Sequence, residues 1–343
     1  MNFETRPKPM SHLESPAERP SITVVIPCFN SRPYLEKCIA AVETALTEYG
    51  PATAVFCDNG SEDGSWGLIG EHVGGSVRAI QKPEVSISAL RNTGASAADG
   101  DFLLFLDSDC TVPPDYLIRV IRSFESTGAA AVGCRVTIPD EAPWIPRVWH
   151  RLHAPRRSQY VEWLNSANFA VRREAFQAVG GFAEDCETGE DAEIGARLLQ
   201  SGFKLFQDLD LEVLHHRNPG DLSSFFRKEV WRGLGMFGTF RQSRFDKPLI
   251  MTIGHGVTLL LAVLLLALPI GPIAARVFAA LALTVVVPIS TVAFRSLQTG
   301  RLISPLRATL LYSLYFSARL AALGKIGGRS IKAHFASRQP LSK

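Results

Sequence analysis

Two long stretches without a charged side chain lie near the C-terminus, and they constrain the fold more than any other feature of the sequence. Residues 249–270 and residues 277–294 contain no Asp, Glu, Lys or Arg. A helix needs about 20 apolar residues to cross the hydrocarbon core of a bilayer. Pro269, Gly271 and Pro272 separate the stretches and favour a tight turn. The pattern predicts a membrane-spanning helical hairpin, and a pair of buried core helices is the alternative.

The charges around this hairpin indicate its orientation. From residue 248 to residue 343 the chain has 10 Lys or Arg and no acid, so the first 247 residues hold the other 26 of the 36 basic and all 33 acidic side chains. Basic clusters follow the second stretch and a third apolar segment, residues 306–323. Basic loops favour the cytosolic side, and both clusters can be cytosolic only when the third segment does not cross. We expect this segment to lie in the membrane interface, with spanning as the alternative.

A strand–helix rhythm fills the first 215 residues. Apolar runs predict strands at residues 21–27, 53–57, 77–81, 102–106, 168–172 and 205–214, and helical spacing predicts helices between most of them. Strands that alternate with helices predict an α/β domain with a mainly parallel sheet. Residues 138–165 break the rhythm with prolines, tryptophans and arginines, and we expect a long irregular segment there.

Polar side chains follow four elements of this pattern. They are Cys28-Phe29-Asn30, residues 58–65 (DNGSEDGS), residues 91–94 (RNTG) and Asp107-Ser108-Asp109. Ligands bind beyond the carboxyl ends of parallel strands, so all four sets are predicted to meet at one edge of the sheet. Helix capping is the alternative for Asp63 and Ser65.

The centre of this edge is the pair of carboxylates at Asp107 and Asp109. A buried strand delivers both side chains at its exit, and two close carboxylates repel each other unless a cation lies between them. Hard divalent cations favour oxygen ligands. The sequence therefore indicates a site for Mg²⁺ or Mn²⁺, which would also neutralise a diphosphate leaving group.

These motifs together resemble the successive signatures of family 2 glycosyltransferases with a GT-A fold. The likeness is carried by residues 22–30 (ITVVIPCFN), 58–65, 91–94, 102–109 (FLLFLDSD), 168–182 (NFAVRREAFQAVGGF) and Glu190-Asp191. It extends over about residues 21–215. It implies transfer of a sugar from a nucleoside-diphosphate sugar, with inversion at the anomeric carbon, by a Rossmann-like nucleotide-diphospho-sugar transferase domain.

The resemblance also implies roles for individual residues. Asp191 would be the catalytic base, because an acceptor hydroxyl must lose its proton as it attacks; capping of a helix is the alternative for Glu190 and Asp191. Asn59 stands where many members have a second Asp. The nucleotide-sugar site would include Pro27, Asn30, Asp58, Asn59, Ser61, Arg91, Asn92, Asp107 and Ser108. Asp109 would hold the metal. His215, which follows the last strand, would complete the metal shell or meet the diphosphate, and a structural or exposed histidine is the alternative. Glu190, Trp163, Arg227 and Arg232 would meet the acceptor or the diphosphate, and a juxtamembrane helix at the lipid headgroups is the alternative for the two arginines.

Two other functions fit part of the sequence. The run from Asp107 to Thr111 has the Asp-x-Asp-x-Thr pattern of haloacid-dehalogenase phosphatases, in which the first Asp is a nucleophile. That motif normally follows the first strand of its domain, whereas three strands precede it here. A non-catalytic membrane scaffold with a sugar-nucleotide fold is the second alternative. The absence of a Gln-x-x-Arg-Trp motif argues against a processive synthase, and six cysteines without paired spacing argue against a disulfide scaffold.

These observations together predict how the chain is organised. We expect a flexible leader at residues 1–20, a GT-A domain at 21–218, a juxtamembrane amphipathic segment at 219–247, a membrane region at 248–324 and a basic cytosolic tail at 325–343. The protein is predicted to be a multi-pass protein of the cell inner (plasma) membrane, with its catalytic domain in the cytosol. Its partners would be a nucleoside-diphosphate sugar, a lipid-linked or saccharide acceptor and membrane lipid, without nucleic acid. Such an enzyme would serve polysaccharide or glycolipid biosynthesis.

Overall fold

The computed structural model describes residues 15–186, 188–235, 247–300 and 304–336. The chain divides into two compact units. The first comprises Met1–Glu141 and Ala154–Asn218, and the second comprises Ala142–His153 and Pro219–Lys343. Each unit is described by itself below.

The first unit contains one nine-stranded sheet. Its strands are β1 (Ile22–Cys28), β2 (Ala52–Asp58), β3 (Val77–Gln81), β4 (Phe102–Leu106), β5 (Cys110–Thr111), β6 (Ala131–Thr137), β7 (Gln159–Val161), β8 (Asn168–Arg172) and β9 (Leu205–His215). The order is β3-β2-β1-β4-β8-β6-β9-β5, and β7 pairs with β9. The pairs β2–β3, β1–β2, β1–β4 and β6–β9 are parallel, whereas β8 is antiparallel to both β4 and β6. The sheet is therefore mixed and mostly parallel, as predicted.

Helices cover both faces of this sheet. They are α1 (Arg32–Tyr49), α2 (Ser65–Glu71), α3 (Ile87–Ser96), α4 (Tyr116–Thr127), α6 (Arg173–Ala178) and α7 (Glu190–Gln200). Every residue of β1 and β4 is buried, which explains why these strands are continuously apolar in sequence. The core divides into one cluster on each face of the sheet.

Gly94 lets α3 approach the sheet more closely than any other residue would. A Cβ at this position would lie 2.3 Å from Cγ1 of Val25 on β1 and 2.9 Å from Sγ of Cys57 on β2. Such distances are sterically excluded, so α3 packs directly on the two strands only because residue 94 is glycine. This close packing brings Arg91, one turn earlier on α3, to the carboxyl edge of the sheet.

The second unit is helical. It contains α5 (Trp144–His153), α8 (Leu222–Gly233), α9 (Lys247–Ala267), α10 (Ile273–Thr299) and α11 (Pro305–Ala336). Among the described residues, α9 and α10 are the two helices long and apolar enough to cross a membrane. They correspond to the two uncharged stretches of the sequence, and Gly271 lies in the turn between them with φ +71°.

The structure differs from the sequence-based expectations in three places. Residues 138–165 are not irregular throughout, since they contain α5 and β7; Pro146 is tolerated because it falls in the first turn of α5, where a backbone N–H has no helical partner. Strands β5 and β6 were not predicted. The expected tail also begins as helix, because α11 continues to Ala336. Of the expected leader, residues 15–20 are described and include a 3₁₀ turn at Pro16–Glu18, and residues 1–14 lie outside the described part.

Candidate active site

The ends of β1 and β2 bring two of the predicted polar sets together. Cys28 and Asp58 are direct partners in the parallel register, so the residues after them leave the sheet side by side. Asn30, with a left-handed φ of +47°, turns the chain there. Its backbone N–H donates to Oγ of Ser61 over 2.9 Å, and its Oδ1 accepts from the N–H of Glu62 over 3.0 Å. The two loops are therefore bonded to each other.

Asp58 organises this pair of loops from within. Its side chain is fully buried, and Oδ2 accepts hydrogen bonds from the N–H groups of Gly60 and Ser61 and from Nε2 of Gln81, at 2.9–3.1 Å. Oδ1 accepts from Oγ of Ser61. Oδ2 therefore has its acceptor positions filled by the protein, whereas Oδ1 accepts a single hydrogen bond. Asp58 thus shapes the predicted nucleotide loop, and a direct contact with the nucleotide stays a prediction.

Two predicted amides also bind the protein itself. Asn59 donates from Nδ2 to the carbonyl of Val85 and accepts from the N–H of Val85, at 3.0 and 3.1 Å. An Asp could not donate here, which gives a reason for the departure from the family pattern. Asn92 likewise donates from Nδ2 to the carbonyl of Phe182 and accepts at Oδ1 from the N–H of Phe182, each over 2.9 Å. Both amides fasten loops at the edge of the sheet.

Asp63 supports the capping interpretation. Its carboxylate accepts from the N–H of Arg32 at the start of α1 and from the N–H of Ser65 at the start of α2, at 2.9 and 3.0 Å. Slight desolvation raises the pKa of Asp63, but the hydrogen bonds from Ser65 and Arg32 outweigh it and hold the pKa below its ordinary value. Asp63 therefore lies just before α2, which begins at Ser65.

Arg91 joins two acidic motifs of the sequence. The guanidinium is buried and donates from Nη2 to Oδ1 of Asp107 over 2.9 Å and from Nη1 to Oε1 of Glu190 over 2.7 Å. Oγ of Ser166 donates to the same oxygen of Glu190 over 3.0 Å. The planar fork of Arg suits two carboxylates at once. Arg91 and Glu190 form a buried ion pair, and their predicted contact with ligands stays a prediction.

Asp109 and His215 lie together at the other side of Asp107. Oδ1 of Asp109 is 3.5 Å from Nε2 of His215, and Sγ of Cys110 belongs to the same group of atoms within 4.8 Å. Antiparallel pairing of β5 with β9 places Asp109 next to His215, because Cys110, the residue after Asp109, is the register partner of His215. Burial, followed by the charges of Asp107 and Asp109, raises the pKa of the Cys110 thiol, which disfavours the thiolate that binds metals.

The residues at this position fit a divalent cation. Two ligands bound at about 2.1 Å to a six-coordinate ion stand about 3 Å apart, close to the separation of the Asp109 and His215 atoms. The carboxylate of Asp109 suits Mg²⁺ and Mn²⁺, whereas the imidazole of His215 favours transition-metal ions over Mg²⁺. Ser108, between the two aspartates, is buried and lies 2.7 Å from Oγ of Ser31, which fixes the turn that presents them. Pro27 is buried within β1.

Asp191 has the protonation behaviour of a base at near-neutral pH. It lies in the first turn of α7, which begins after Gly189 with φ +84°. Burial and the neighbouring charge of Glu190 raise the pKa of Asp191 to about 6, although the N–H groups of Ala192 and Ser166 and the charge of Arg91 act in the opposite direction. Its side chain stays partly exposed. A carboxylate with this pKa can accept a proton from an acceptor hydroxyl.

Trp163 lies beside Asp191. The segment from Glu162 to Ser166 runs along α7. A Cβ on Gly195 of α7 would lie 3.3 Å from Cα of Trp163. At the start of α7, Ser166 is hydrogen-bonded to Glu190 and Asp191. Gly195 and Asp191 are four residues apart, so they share one face of the helix. The indole of Trp163 is 52% exposed, whereas the next residue, Leu164, is buried. The backbone of Trp163 therefore lies about one helical turn along α7 from the predicted base.

Two predicted residues belong to the other unit. Arg227 and Arg232 lie on α8, where Arg227 donates to Oγ of Ser223 over 2.6 Å and Arg232 donates to Oε1 of Glu229 over 2.8 Å. Their predicted contact with the diphosphate stays a prediction. Conversely, Phe29 was not among the predicted site residues. Phe29 directly follows β1 and is 55% exposed. Its position between the strand and Asn30 was the sequence feature that could have identified it as a candidate.

Comparison with known proteins agrees with this geometry. Residues 23–186 match the family model described as glycosyl transferase family 2. The chain is 26% identical over 237 residues to glycosyltransferase AglE of Haloferax volcanii, across 66% of this chain and 76% of that protein. It is 27% identical over 199 residues to succinoglycan biosynthesis protein ExoA of Rhizobium meliloti, across 54% of this chain and 60% of ExoA.

The fold has a counterpart among solved structures. The mannosyltransferase PcManGT from Pyrobaculum calidifontis, solved in complex with GDP-Man and Mn²⁺, superimposes with a TM-score of 0.57 at 17% sequence identity. The alignment covers 90% of this chain and 88% of that one. At this identity the likeness concerns the fold, which is that of the GT-A enzymes.

Proposed function

We propose that this chain, a glycosyltransferase with a family 2 domain of GT-A fold at residues 23–186, transfers a sugar with inversion from a nucleoside diphosphate to an acceptor at a membrane. The observation that carries the proposal is the double ion pair of Arg91. It ties the Asp107–Asp109 turn to the Glu190–Asp191 turn, which are the donor and acceptor sides of such a reaction.

The donor would lie along the carboxyl edge of β1, β2 and β4. The exposed ring of Phe29 offers a flat face on which a base can stack, and the loop organised by Asp58 offers a preformed rim around it. Asp109 and His215 would hold Mg²⁺ or Mn²⁺. When bound, such a cation supplies positive charge that stabilises the diphosphate as a leaving group.

Asp191 would act as the general base in a single displacement. The acceptor hydroxyl gives its proton to the carboxylate of Asp191 while its oxygen forms a bond to the anomeric carbon. The bond from that carbon to the diphosphate oxygen breaks, and its electron pair leaves with the nucleoside diphosphate. Attack opposite to the leaving group inverts the anomeric centre. Arg91 holds Glu190 and Asp107 in place during this step and is a positioning residue.

The acceptor side would include Trp163. The exposed indole, whose backbone lies about one helical turn along α7 from the base, can pack against the C–H face of a sugar ring while one hydroxyl of the ring reaches Asp191. The hairpin of α9 and α10 would hold the enzyme at the inner membrane by two crossings, with the catalytic domain in the cytosol. We therefore propose a saccharide acceptor that is lipid-linked or close to the membrane, in glycolipid or polysaccharide biosynthesis.

A turnover assay tests this function. Purified full-length protein in lipid nanodiscs would be incubated with Mn²⁺, each of a panel of nucleoside-diphosphate sugars, and membrane lipid extract as the source of acceptor. We expect release of nucleoside diphosphate and transfer of label to the extract with one donor of the panel. An Asp191→Asn protein that retains full transfer would overturn the assignment of the base, and an Asp109→Ala protein that retains it would overturn the metal site.

A further inference from the structure

Arg197 binds α7 to a turn of the chain that precedes this helix. The guanidinium donates from Nη2 to the carbonyl of Gly181 over 2.7 Å and from Nη1 to the carbonyl of Val179. Its Nε donates to Oε1 of Glu193, one turn earlier on the same helix, over 2.6 Å. A guanidinium presents its N–H donors in a rigid fork, so one side chain serves all three partners at once. The second half of α7 is therefore fastened to residues 179–181.

Asn92 of α3 binds the other side of this turn, which comprises residues 179–182. Its Nδ2 donates to the carbonyl of Phe182 and its Oδ1 accepts from the N–H of the same residue, each over 2.9 Å. Two bonds between one amide and one backbone unit fix the direction of the turn as well as its distance from α3. The 179–182 turn thus connects α3 with α7.

Gly181 leaves no slack in this connection. Its φ is +73°, and a Cβ there would lie 2.8 Å from Oδ1 of Asn92 and 3.2 Å from Cζ of Phe176. Gly180 also has a left-handed φ, of +77°. A larger residue at position 181 would strain the backbone and displace a neighbour. Asn92 therefore reaches the turn directly because residue 181 is glycine.

The ring of Phe182 places the turn beside Arg91. Its centroid lies 5.0 Å from that of Phe105 on β4, in an edge-to-face arrangement. The Cζ atom of Arg91 lies 5.6 Å from the centroid of Phe182. A guanidinium over an aromatic face gains electrostatic attraction. The turn that Arg197 holds thus also supports the guanidinium that joins Asp107 to Glu190.

Two consecutive residues of α3 therefore hold two points of α7. Arg91 binds Glu190 at the start of the helix, and Asn92 holds the turn that binds Arg197. Glu190 and Arg197 are seven residues apart on α7, which corresponds to about 10 Å at about 1.5 Å per residue. Apolar packing through Ile194 keeps α7 on the sheet but has no fixed direction. The second hydrogen-bonded point therefore stops the helix from pivoting about its first turn.

We propose that Arg197 is a positioning residue for the transfer reaction, because it stops α7 from pivoting and thereby keeps Asp191 in place relative to the donor side. This inference rests on the proposed role of Asp191 as the base. A base must lie within hydrogen-bond reach of the acceptor hydroxyl, and a misplacement of about 1 Å can cost about 10²-fold in rate. In the described part of the chain, Arg197 makes no hydrogen bond to the loops that follow β1, β2 and β4. Its role therefore concerns the acceptor side of the reaction.

The kinetics of Arg197→Lys test the proposal. An ammonium keeps the positive charge beside Glu193 but cannot reach both carbonyls of the turn. In lipid nanodiscs we expect kcat of transfer to fall about tenfold. The dissociation constant of the donor, measured by calorimetric titration, should stay unchanged, and so should binding of Mn²⁺, followed by electron paramagnetic resonance. A native kcat, or a donor affinity that falls in step with kcat, would overturn the role of Arg197.

Arg173→Lys is the matched control. Arg173 of α6 also donates to two backbone carbonyls, from Nε to Gly100 over 2.6 Å and from Nη2 to Ala98. These carbonyls precede β4, at the edge of the sheet opposite to the site. Both variants lose bonds of the same kind, and only Arg197→Lys should lower kcat. An equal fall of kcat in both variants would show a general loss of stability and would contradict positioning by Arg197.

Gly181→Ala tests the turn from the side of α3. The added methyl group would displace Asn92, so we expect kcat to fall about tenfold here as well. Because residues 181 and 197 act through one turn, the double variant Gly181→Ala with Arg197→Lys should lose much less than the product of the two single losses. A double variant whose kcat falls by that product, about 100-fold, would show that the two residues act independently.

Asp191→Asn separates a failure of this proposal from a failure of the proposed function. We expect both Asp191→Asn and Arg197→Lys to be impaired in transfer. Full transfer by Asp191→Asn would remove the base through which Arg197 acts. An inactive Asp191→Asn protein together with a fully active Arg197→Lys protein would leave the base in place and overturn the positioning role alone.

Discussion

The guanidinium of Arg91 donates from Nη1 to Oε1 of Glu190 over 2.7 Å, although the two residues are 99 positions apart in the chain. The side chain of Arg91 is 3% exposed and that of Glu190 is 10% exposed, so both are largely shielded from bulk water. Burial lowers the pKa of Arg91, but the charges of Asp107 and Glu190 raise it more, and the net pKa is raised. Arg91 therefore stays charged. Its guanidinium is shared by Asp107 in one part of the site and Glu190 in the other.

Removing this cation should destabilise the fold as well as the site. Arg91→Gln leaves Glu190 buried without its partner, which costs about 3–5 kcal/mol, and Arg91→Lys should restore little because an ammonium lacks the fork that reaches both carboxylates. Urea unfolding followed by tryptophan fluorescence measures the loss. The control is Arg78→Gln, which breaks the exposed pair with Asp99 and should cost less than about 1 kcal/mol. Equal losses in the two variants would contradict a structural role for Arg91.

Asp191→Asn should abolish transfer without disturbing the donor. The amide keeps the shape of the side chain but cannot accept the proton, so we expect kcat to fall by about 10²–10⁴-fold while binding of the donor is unchanged. Stopped assays with labelled donor measure the first effect, and calorimetric titration measures the second. Asp210→Asn, an exposed acid on β9, is the control. An acceptor that is already ionised, such as a lipid phosphate, would instead give only a small loss.

The pH profile of the enzyme should report the same carboxylate. Burial and Glu190 raise the pKa of Asp191 to about 6, so the base is protonated and inactive below that pH and ionised above it. We expect kcat/KM to rise about tenfold per pH unit up to a midpoint near pH 6 and then to level off. Glu190→Gln should move the midpoint to lower pH, because it removes a neighbouring negative charge that raises this pKa. If the midpoint does not move in Glu190→Gln, the fall of kcat/KM at low pH belongs to a group other than Asp191.

Removal of divalent metal should stop the reaction. Chelation should abolish transfer, and Mn²⁺ or Mg²⁺ should restore it. His215→Ala should raise the half-saturating Mn²⁺ concentration by about tenfold or more, which binding of Mn²⁺ followed by electron paramagnetic resonance also measures without turnover. His216→Ala is the matched control, because His216 is hydrogen-bonded to Thr111 at 3.0 Å and lies outside the group of candidate ligands. Full activity of the metal-free protein would show that Asp109 and His215 do not bind a metal that the reaction needs.

Trp163→Ala should weaken binding of the acceptor alone. Loss of the indole face should raise the acceptor KM about tenfold, which corresponds to about 1.4 kcal/mol, while Trp163→Phe should keep most of the affinity. Hydrolysis of the donor in the absence of acceptor should be unchanged. Tyr160→Ala is the control, since Tyr160 is equally exposed but its ring packs on Phe206 at 5.1 Å. An unchanged acceptor KM in Trp163→Ala would place the acceptor elsewhere.

The sheet edge could be predicted because it depends on local patterns. Continuous apolar runs such as Phe102–Leu106 identify buried parallel strands, and the loops after parallel strands must begin at the same edge of the sheet. The strands β5 and β6 were missed because they lack such a pattern. β5 has two residues, which is too short for any period, and β6 holds Gly133 and Arg135 within an otherwise apolar run. The helix α5 was missed because Pro146 usually indicates a break.

The partners of the polar side chains could not be predicted in this way. The sequence places Asp58, Asn59 and Asn92 at the edge, but nothing near them shows that backbone groups of residues 60, 61, 85 and 182 occupy their hydrogen bonds. The pairing of Arg91 with Glu190 depends on tertiary folding across 99 positions. Motifs thus predicted where the site lies, whereas the hydrogen-bond and ion-pair partners of its side chains required coordinates.

The second unit is assembled from two pieces of chain that the ribosome makes at very different times. His153 at the end of α5 lies against Tyr312, and the two residues are 159 positions apart. At about 5–20 residues per second, roughly 8–32 s separate the synthesis of the two. During that interval the apolar face of α5 lacks the residues of α11 that complete its cluster, although Phe225 of α8 and Val292 of α10 are already made. The growing chain therefore carries an unfinished apolar surface until the last helix is translated, and a chain that stopped before α11 would keep it.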